Sequence, residues 1–220
     1  MKKISLFLIA FCITGIIHSQ VIPKPLAFGL KLGFNYNASD LKKENTSTIT
    51  YTDVKSEQHI GFQGGIFLRV HLPKKLYLQE ELYFAMKGGT FSYKVKPDPN
   101  LPIQDASQTI KLNTVDLPVL LGWKFVDLKV INIRLCGGPV ASYVISKSVK
   151  IMQGGVDLSP ASSNDAIKDV IWGAQAGIGF DILKLTVDCR YEIGLNNLTK
   201  NSTDAFKNNL INVSIGWKII

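Results

Sequence analysis

From Asp169 to Asn197 the chain alternates apolar and non-apolar residues, with one change of parity. Val170, Trp172, Ala174, Ala176, Ile178 and Phe180 share one parity, with Gly173, Gln175, Gly177 and Gly179 between them. After a parity change near Asp181 to Lys184, the apolar row resumes as Leu183, Leu185, Val187, Cys189, Tyr191, Ile193 and Leu195. Its interleaved partners are Lys184, Thr186, Asp188, Arg190 and Glu192. Side chains of a pleated strand point alternately to opposite faces, so a period of two predicts strands. The parity change predicts two long antiparallel strands joined by a tight turn.

Six further segments carry the same pattern, and eight strands are expected at 28–39, 59–72, 76–91, 110–125, 129–145, 169–181, 183–196 and 209–220. In the first, Phe28, Leu30, Leu32, Phe34 and Tyr36 alternate with Gly29, Lys31, Gly33 and Asn35. In the last, Ile211, Val213, Ile215, Trp217 and Ile219 alternate with Asn212, Ser214, Gly216 and Lys218. No segment beyond the N-terminal one shows a helical period.

Alternation does not say what surrounds the apolar row. On a soluble sheet it faces a core; in a transmembrane barrel it faces lipid and the polar row fills the lumen. The connections separate the two. Those at 40–58, 92–109, 146–168 and 197–208 are long and polar; those at 73–75, 126–128 and around Ile182 are short. Long and short alternate strictly, as in outer-membrane barrels with tight periplasmic turns and long external loops. A secreted soluble barrel has no reason to sort its loops by end. The expected fold is therefore all-β, an eight-stranded antiparallel up-and-down transmembrane β-barrel. An Arg or Lys on the lipid face costs about 2–4 kcal/mol at mid-membrane, so the charged row must point inward. Trp123, Trp172 and Trp217 fall towards strand ends, where aromatic girdles sit.

The N-terminus agrees with this compartment. Lys2 and Lys3 precede an apolar run from Ile4 to Ile17, and a small residue, Ser19, stands before Gln20. This reads as a signal peptide at 1–19 followed by one barrel domain at 20–220. The run is shorter than the roughly 20 residues a membrane helix needs. Cys12 lies inside the run after bulky Phe11, which argues against a lipoprotein anchor. Removing Lys2 and Lys3 takes the formal charge from +8 to +6. Of the remaining cysteines, Cys136 shares parity with Asn132 and Arg134 while Cys189 lies in the apolar row. They should face opposite sides of the wall, unpaired.

Four segments resemble a known family. LQEELYFAMKGG (78–89), with Glu81, Lys87 and Gly88 on the pattern, is similar to a strand of the PorT-like outer-membrane β-barrel proteins of Bacteroidetes-type bacteria. LNTVDLPVLLGWKF (112–125) resembles that family's strand with an acid before an apolar–proline pair, here Asp116, Leu117 and Pro118. CGGPVASY (136–143) and CRYEIGLNNL (189–198) resemble two more. Asp116 stands where glutamate is commoner, and the chain ends on Ile219-Ile220 instead of an aromatic. The resemblance implies an eight-stranded barrel in the cell outer membrane. Its namesake is associated with protein export, so secretion or envelope assembly is the setting implied.

The expected inward charges are Lys31, Arg69, Glu81, Lys87, Asp116, Lys124, Arg134, Lys184, Asp188, Arg190, Glu192 and Lys218. Eight strands leave an interior just wide enough for side chains, and buried charges must be paired. Glu81, Lys87, Asp116, Asp188, Arg190 and Glu192 are thus expected to form a structural network that plugs the lumen. Because bases outnumber acids in this set, a narrow anion path is the alternative. Pro118 within a strand predicts a bulge.

Catalytic signals are weak. His59 and His71 stand near opposite ends of one strand, roughly 40 Å apart at about 3.3 Å per residue, and cannot share a site. No His/Cys ligand spacing suggests a metal, and no cofactor is expected. GAQAGIG (173–179) lies inside a strand, where its glycines let lumenal side chains approach the wall. The positive charge is dispersed, unlike a nucleic-acid stripe. The long external loops hold Tyr51, Phe91, Tyr93, Leu101, Ile103 and Ile151, candidates for contact with envelope or secretion partners. Lys74, Lys75 and Lys129 put positive charge at the inner turns. The reading is a non-enzymatic outer-membrane scaffold or interaction protein, surrounded by outer-membrane lipid. A lipid-modifying enzyme or narrow channel, and a secreted barrel for an apolar ligand, are the alternatives.

The full chain is expected to fractionate with the outer membrane and to migrate heat-modifiably in detergent gels. Recovery as soluble protein from periplasm or medium would end the membrane reading.

Overall fold

The computed structural model describes residues 26–37, 41–42, 50–57, 59–96, 102–128, 130–158, 167–197, 205–206 and 209–220. The signal segment expected at 1–19 lies outside them. The strands in chain order are β1 (Leu26–Asn37), β2 (Leu41–Lys42), β3 (Thr50–Glu57), β4 (Ile60–His71), β5 (Leu76–Lys96) and β6 (Gln104–Asp127). They continue as β7 (Ile131–Gln153), β8 (Val156–Asp157), β9 (Val170–Ile182), β10 (Leu185–Gly194), β11 (Ala205–Phe206) and β12 (Leu210–Lys218). β1, β4, β5, β6, β7, β9, β10 and β12 form a closed antiparallel ring of eight. The seam joins first strand to last, from Gly29 opposite Lys218 to Asn37 opposite Leu210. Closure removes the free edges a sheet would otherwise expose inside a bilayer.

Burial runs opposite to that of a soluble sheet. On β1, Lys31 and Asn35 are buried while Leu30, Leu32 and Phe34 are more than half exposed. β10 repeats this, with Asp188, Arg190 and Glu192 buried and Tyr191 and Ile193 exposed. An apolar band outside a polar core, interrupted on β5 by Glu80, which is itself buried among its neighbours, is a surface made for lipid. Trp123 and Trp217 face outward near the short-turn end and Trp172 near the other, so the indoles flank the band.

The short connections lie at Pro73–Lys75, around 128–130 and at 183–184. The last two are shifted from the expected 126–128 and Ile182, because Val126, Asp127 and Ile182 still pair within strands. Lys74, Lys75 and Leu183 adopt left-handed φ of 60°, 64° and 53°. Tight hairpins favour Asn or Gly at such positions, so these turns are held by the strands they join.

The sheet also corrects the expected loops. β5, β6 and β7 run past the ring to Lys96, Gln104 and Gln153, through segments expected to be irregular. β3 pairs with the upper part of β5, and β8 with the end of β7. Together they raise a sheet above the long-loop rim. Phe91 and Tyr93, expected as loop contacts, are buried on its inner face with Val95 and Ala106. Ile151 is half-buried and Ile103 exposed, whereas Leu101 and the Tyr51 side chain lie outside the described residues.

Pro118 makes no bulge. Glu80 opposite Val119 and Tyr83 opposite Asp116 keep one register across it, and the shifts in β6 fall at Asn113/Thr114 and Lys124/Val126 instead. The strand omits the pairing a proline cannot make and continues.

Gly179 shows why glycine lines the lumen. A Cβ there would stand 2.4 Å from an Asp188 carboxylate oxygen and 2.6 Å from an Arg134 nitrogen. Overfilling a packed interior costs about 1–3 kcal/mol. Gly179→Val should therefore lower the unfolding temperature in detergent, whereas the same change at Gly155, which has open space around it and a left-handed φ of 81°, should strain only the turn after β7 and leave the barrel's ring intact. Equal melting of Gly179→Val and wild type would contradict this packing.

Candidate functional site: the charged lumen

All six residues expected in the lumenal network point inward and are buried, and they divide into two groups. The upper group centres on Lys87 of β5. Its Nζ lies 2.7 Å from Asp116 Oδ2 and 3.0 Å from Glu192 Oε1, and it donates to Ser142 Oγ at 3.3 Å. Gln175 Nε2 donates to Glu192 Oε2 at 2.6 Å and to Tyr83 Oη at 3.1 Å. Asn212 adds a third donor to the same carboxylate, at 3.3 Å. Four strands of the ring, β5, β6, β7 and β10, thus meet at one ammonium group.

The lower group is larger. Arg190 donates to both Glu81 oxygens at 2.8 Å, a bidentate fork, and lies 3.2 Å from Asp188. Lys31 bridges Glu81 and Asp188 from β1. Arg134 donates to Thr186 at 2.7 Å, to Asp188 at 3.0 Å and to Tyr77 Oη at 3.2 Å. Its Nη2 is also 3.0 Å from Asp181. Arg69 reaches Asp181 at 2.8 Å and Gln79 at 2.6 Å. Its guanidinium lies over the rings of Phe67 and Tyr77, 5.5 and 5.2 Å from their centroids. Bidentate forks and aromatic faces suit Arg better than Lys, and the two deepest cations are arginines, Arg69 and Arg134, both wholly buried.

Glu81 and Lys87 do not meet each other, being six residues apart on one strand. Both find their partners on other strands. Lys184, expected inward, is exposed at the turn before β10, because the parity changes there. Lys124 and Lys218 are half-buried at the inner mouth, Lys124 beside Asp127 at 3.8 Å and Lys218 beside Asp181 at 3.6 Å. Asp181 itself is missing from the expected network although it binds three cations. Its parity with Gly173, Gln175, Gly177 and Gly179 was the available signal, obscured by the nearby turn. Tyr77, Gln79 and Tyr83 are further members, on the same parity of β5 as Glu81 and Lys87.

Adding Asp181 changes the balance. Among the described residues the buried lumen then holds five cations (Lys31, Arg69, Lys87, Arg134, Arg190) and five carboxylates (Glu81, Asp116, Asp181, Asp188, Glu192), a sixth buried carboxylate, Glu80, lying on the other face of β5. The basic excess that suggested an anion path belongs to the mouth and the turns. Towards the long-loop end Phe91, Ile110, Leu112, Val144, Ile167 and Ile171 form a buried apolar cluster on the β5–β6–β7–β9 side. Cys136 is buried and Cys189 exposed, and both are free thiols. His59 and His71 flank β4 at opposite ends. Among the described residues no cluster of His, Cys, Asp and Glu could hold a metal.

A closed eight-stranded ring with an apolar outer band and an ion-paired interior is a transmembrane β-barrel of the outer-membrane class. The chain belongs to the outer membrane protein beta-barrel domain family, which it matches over residues 18–200. It is therefore an outer-membrane protein. No curated protein matches it. Among solved structures it is similar to Ail, the attachment invasion locus protein of Yersinia pestis, at 12% identity and a TM-score of 0.42. That match covers 89% of this chain and 100% of Ail. Neisserial surface protein A gives 11% identity, 89% and 100% coverage and a TM-score of 0.41. OprG from Pseudomonas aeruginosa gives 13%, 89% and 97% coverage and 0.39.

Removing one member of a buried ion pair strands the other, at a cost of about 3–5 kcal/mol. Arg190→Ala and Glu81→Ala should each lower the unfolding temperature in detergent far more than Lys184→Ala at the exposed turn. A fully stable variant that loses function would make the charge a working residue instead of a structural one.

Proposed function

We propose that this barrel is a non-conducting, non-enzymatic scaffold that anchors a raised sheet above the outer membrane and works by contact with other envelope components. The observation that carries this reading is the ion-paired lumen, whose buried charges are bonded to one another. An interior filled by side chains whose charges are paired supports a plug more than an ion path, and a structural role more than a chemical one. What remains outward is the long-loop end, where binding residues on a rigid scaffold usually sit. The strands resembling PorT-like proteins point to protein secretion or envelope assembly as the setting. Partners in that setting would meet the raised sheet and the loops around it.

The decisive measurement is conductance. The purified full chain in planar bilayers should show no stable, ion-selective steps. Reproducible anion-selective steps would replace the scaffold with a channel and turn Arg69, Arg134 and Arg190 from plug into pathway.

A further inference from the structure

The outer face of the raised sheet continues the lipid-facing wall of the barrel without a break. Register fixes its rows across β5, β6 and β7. Met86, Asn113 and Ser146 form the first, then Gly88, Lys111 and Ser148, then Thr90, Thr109 and Lys150, then Ser92, Ser107 and Met152. Successive rows are about 6.6 Å apart along the strands. Met86 is exposed and still belongs to the apolar band. One row higher the face turns abruptly to amines and hydroxyls. Lys111, Ser148 and Lys150 are exposed, and the hydroxyls of Thr90 and Thr109 lie 3.1 Å apart beside them.

The charges here are arranged unlike those of the lumen. At the tip of the sheet Lys94 stands directly opposite Asp105, the cross-strand pairing that opposite charges favour. Lys111 and Lys150 occupy diagonal positions, about 7–8 Å apart at the backbone. Neither forms an ion pair with a described side chain, and the row of Thr90, Thr109 and Lys150 ends on Glu57 of β3. Two unpaired ammonium groups and a set of hydroxyls therefore stand just above the apolar band, on the long-loop side. That is the height at which the headgroups of the outer leaflet begin. Ammonium and hydroxyl groups together are donors suited to phosphate oxygens.

We propose that Lys111 and Lys150, with Thr90, Thr109 and Ser148, bind the phosphate groups of a phosphorylated glycolipid in the outer leaflet. Charge complementarity and continuity with the lipid-facing wall single out this occupant. The site would fix the height and rotation of the raised sheet relative to the membrane surface. It rests on the outer-membrane location and not on the scaffold role, so a conducting barrel would leave it standing.

The test uses the full chain in detergent micelles containing bisphosphorylated lipid A, with bound lipid counted by native mass spectrometry. A basic residue near an anionic surface contributes roughly fivefold in binding. Lys111→Gln/Lys150→Gln should thus lose about 30-fold, while Lys74→Gln/Lys75→Gln at the opposite rim should bind as wild type. Lys111→Arg/Lys150→Arg should retain binding, and heat-modifiable migration will show that each variant is folded. Two outcomes would overturn the proposal. One is undiminished binding by the folded Lys→Gln variant; the other is equal binding of dephosphorylated lipid A by wild type, which would mean acyl-chain adsorption alone.

Discussion

A charge inside this barrel has only other side chains to turn to. The wall is surrounded by lipid, the interior is too narrow for bulk water, and an unpaired ion there would cost several kcal/mol. Every feature of the lumen follows from that constraint. Lys87 gathers Asp116 and Glu192; Arg190 forks onto Glu81; Arg134 and Arg69 share Asp181. At 177 and 179 only glycine fits, because the charged residues paired with them on the adjacent strands, Arg190 on β10 and Arg134 and Asp188 on β7 and β10, lean over the strand where a Cβ would stand. The ion pairs in turn tie strands distant in sequence, such as β1 to β5 and β10, across the bore.

The same constraint separates the two halves of the molecule. Below the rim the polar face must look inward, so lipid meets an apolar wall in which Glu80 is the buried exception among the described residues. Above the rim that rule lapses. The inner face of the raised sheet becomes apolar, with Phe91, Tyr93 and Val95 buried, while the outer face carries Lys, Ser and Thr. The inversion takes place within single strands. Along β5, Phe84 and Met86 face lipid, and Ser92 and Lys94 continue the same face at the headgroups and beyond. One long hairpin thereby serves two solvents.

The strength of the alternation explains how much could be read directly from the chain. Parity alone placed Glu81, Lys87, Asp116, Asp188, Arg190 and Glu192 inside and Cys189 outside, because lipid penalises the alternative at every position. The sorting of long and short connections likewise showed the membrane class. Parity lost its force where a turn resets it, which is why Lys184 was expected inward and Asp181 was overlooked. Polar composition also misled at 92–96, 104–109 and 146–153. Those residues lack the apolar row of a membrane strand, yet they remain paired because the neighbouring strand extends equally far.

The sequence by itself therefore determined the eight strands of the ring, the face most of their residues present and the compartment, since each depends on a local period read against lipid. The tertiary structure alone decided who pairs with whom. Whether Lys87 meets Asp116 or Glu81 meets Lys31 depends on ring closure and on the stagger of strands far apart in the chain, and no local pattern encodes either. It also decided that Pro118 interrupts a hydrogen-bond row without shifting register. The balance of five buried cations against five carboxylates emerged the same way, because Asp181 turns inward only once β9 is set between β7 and β10.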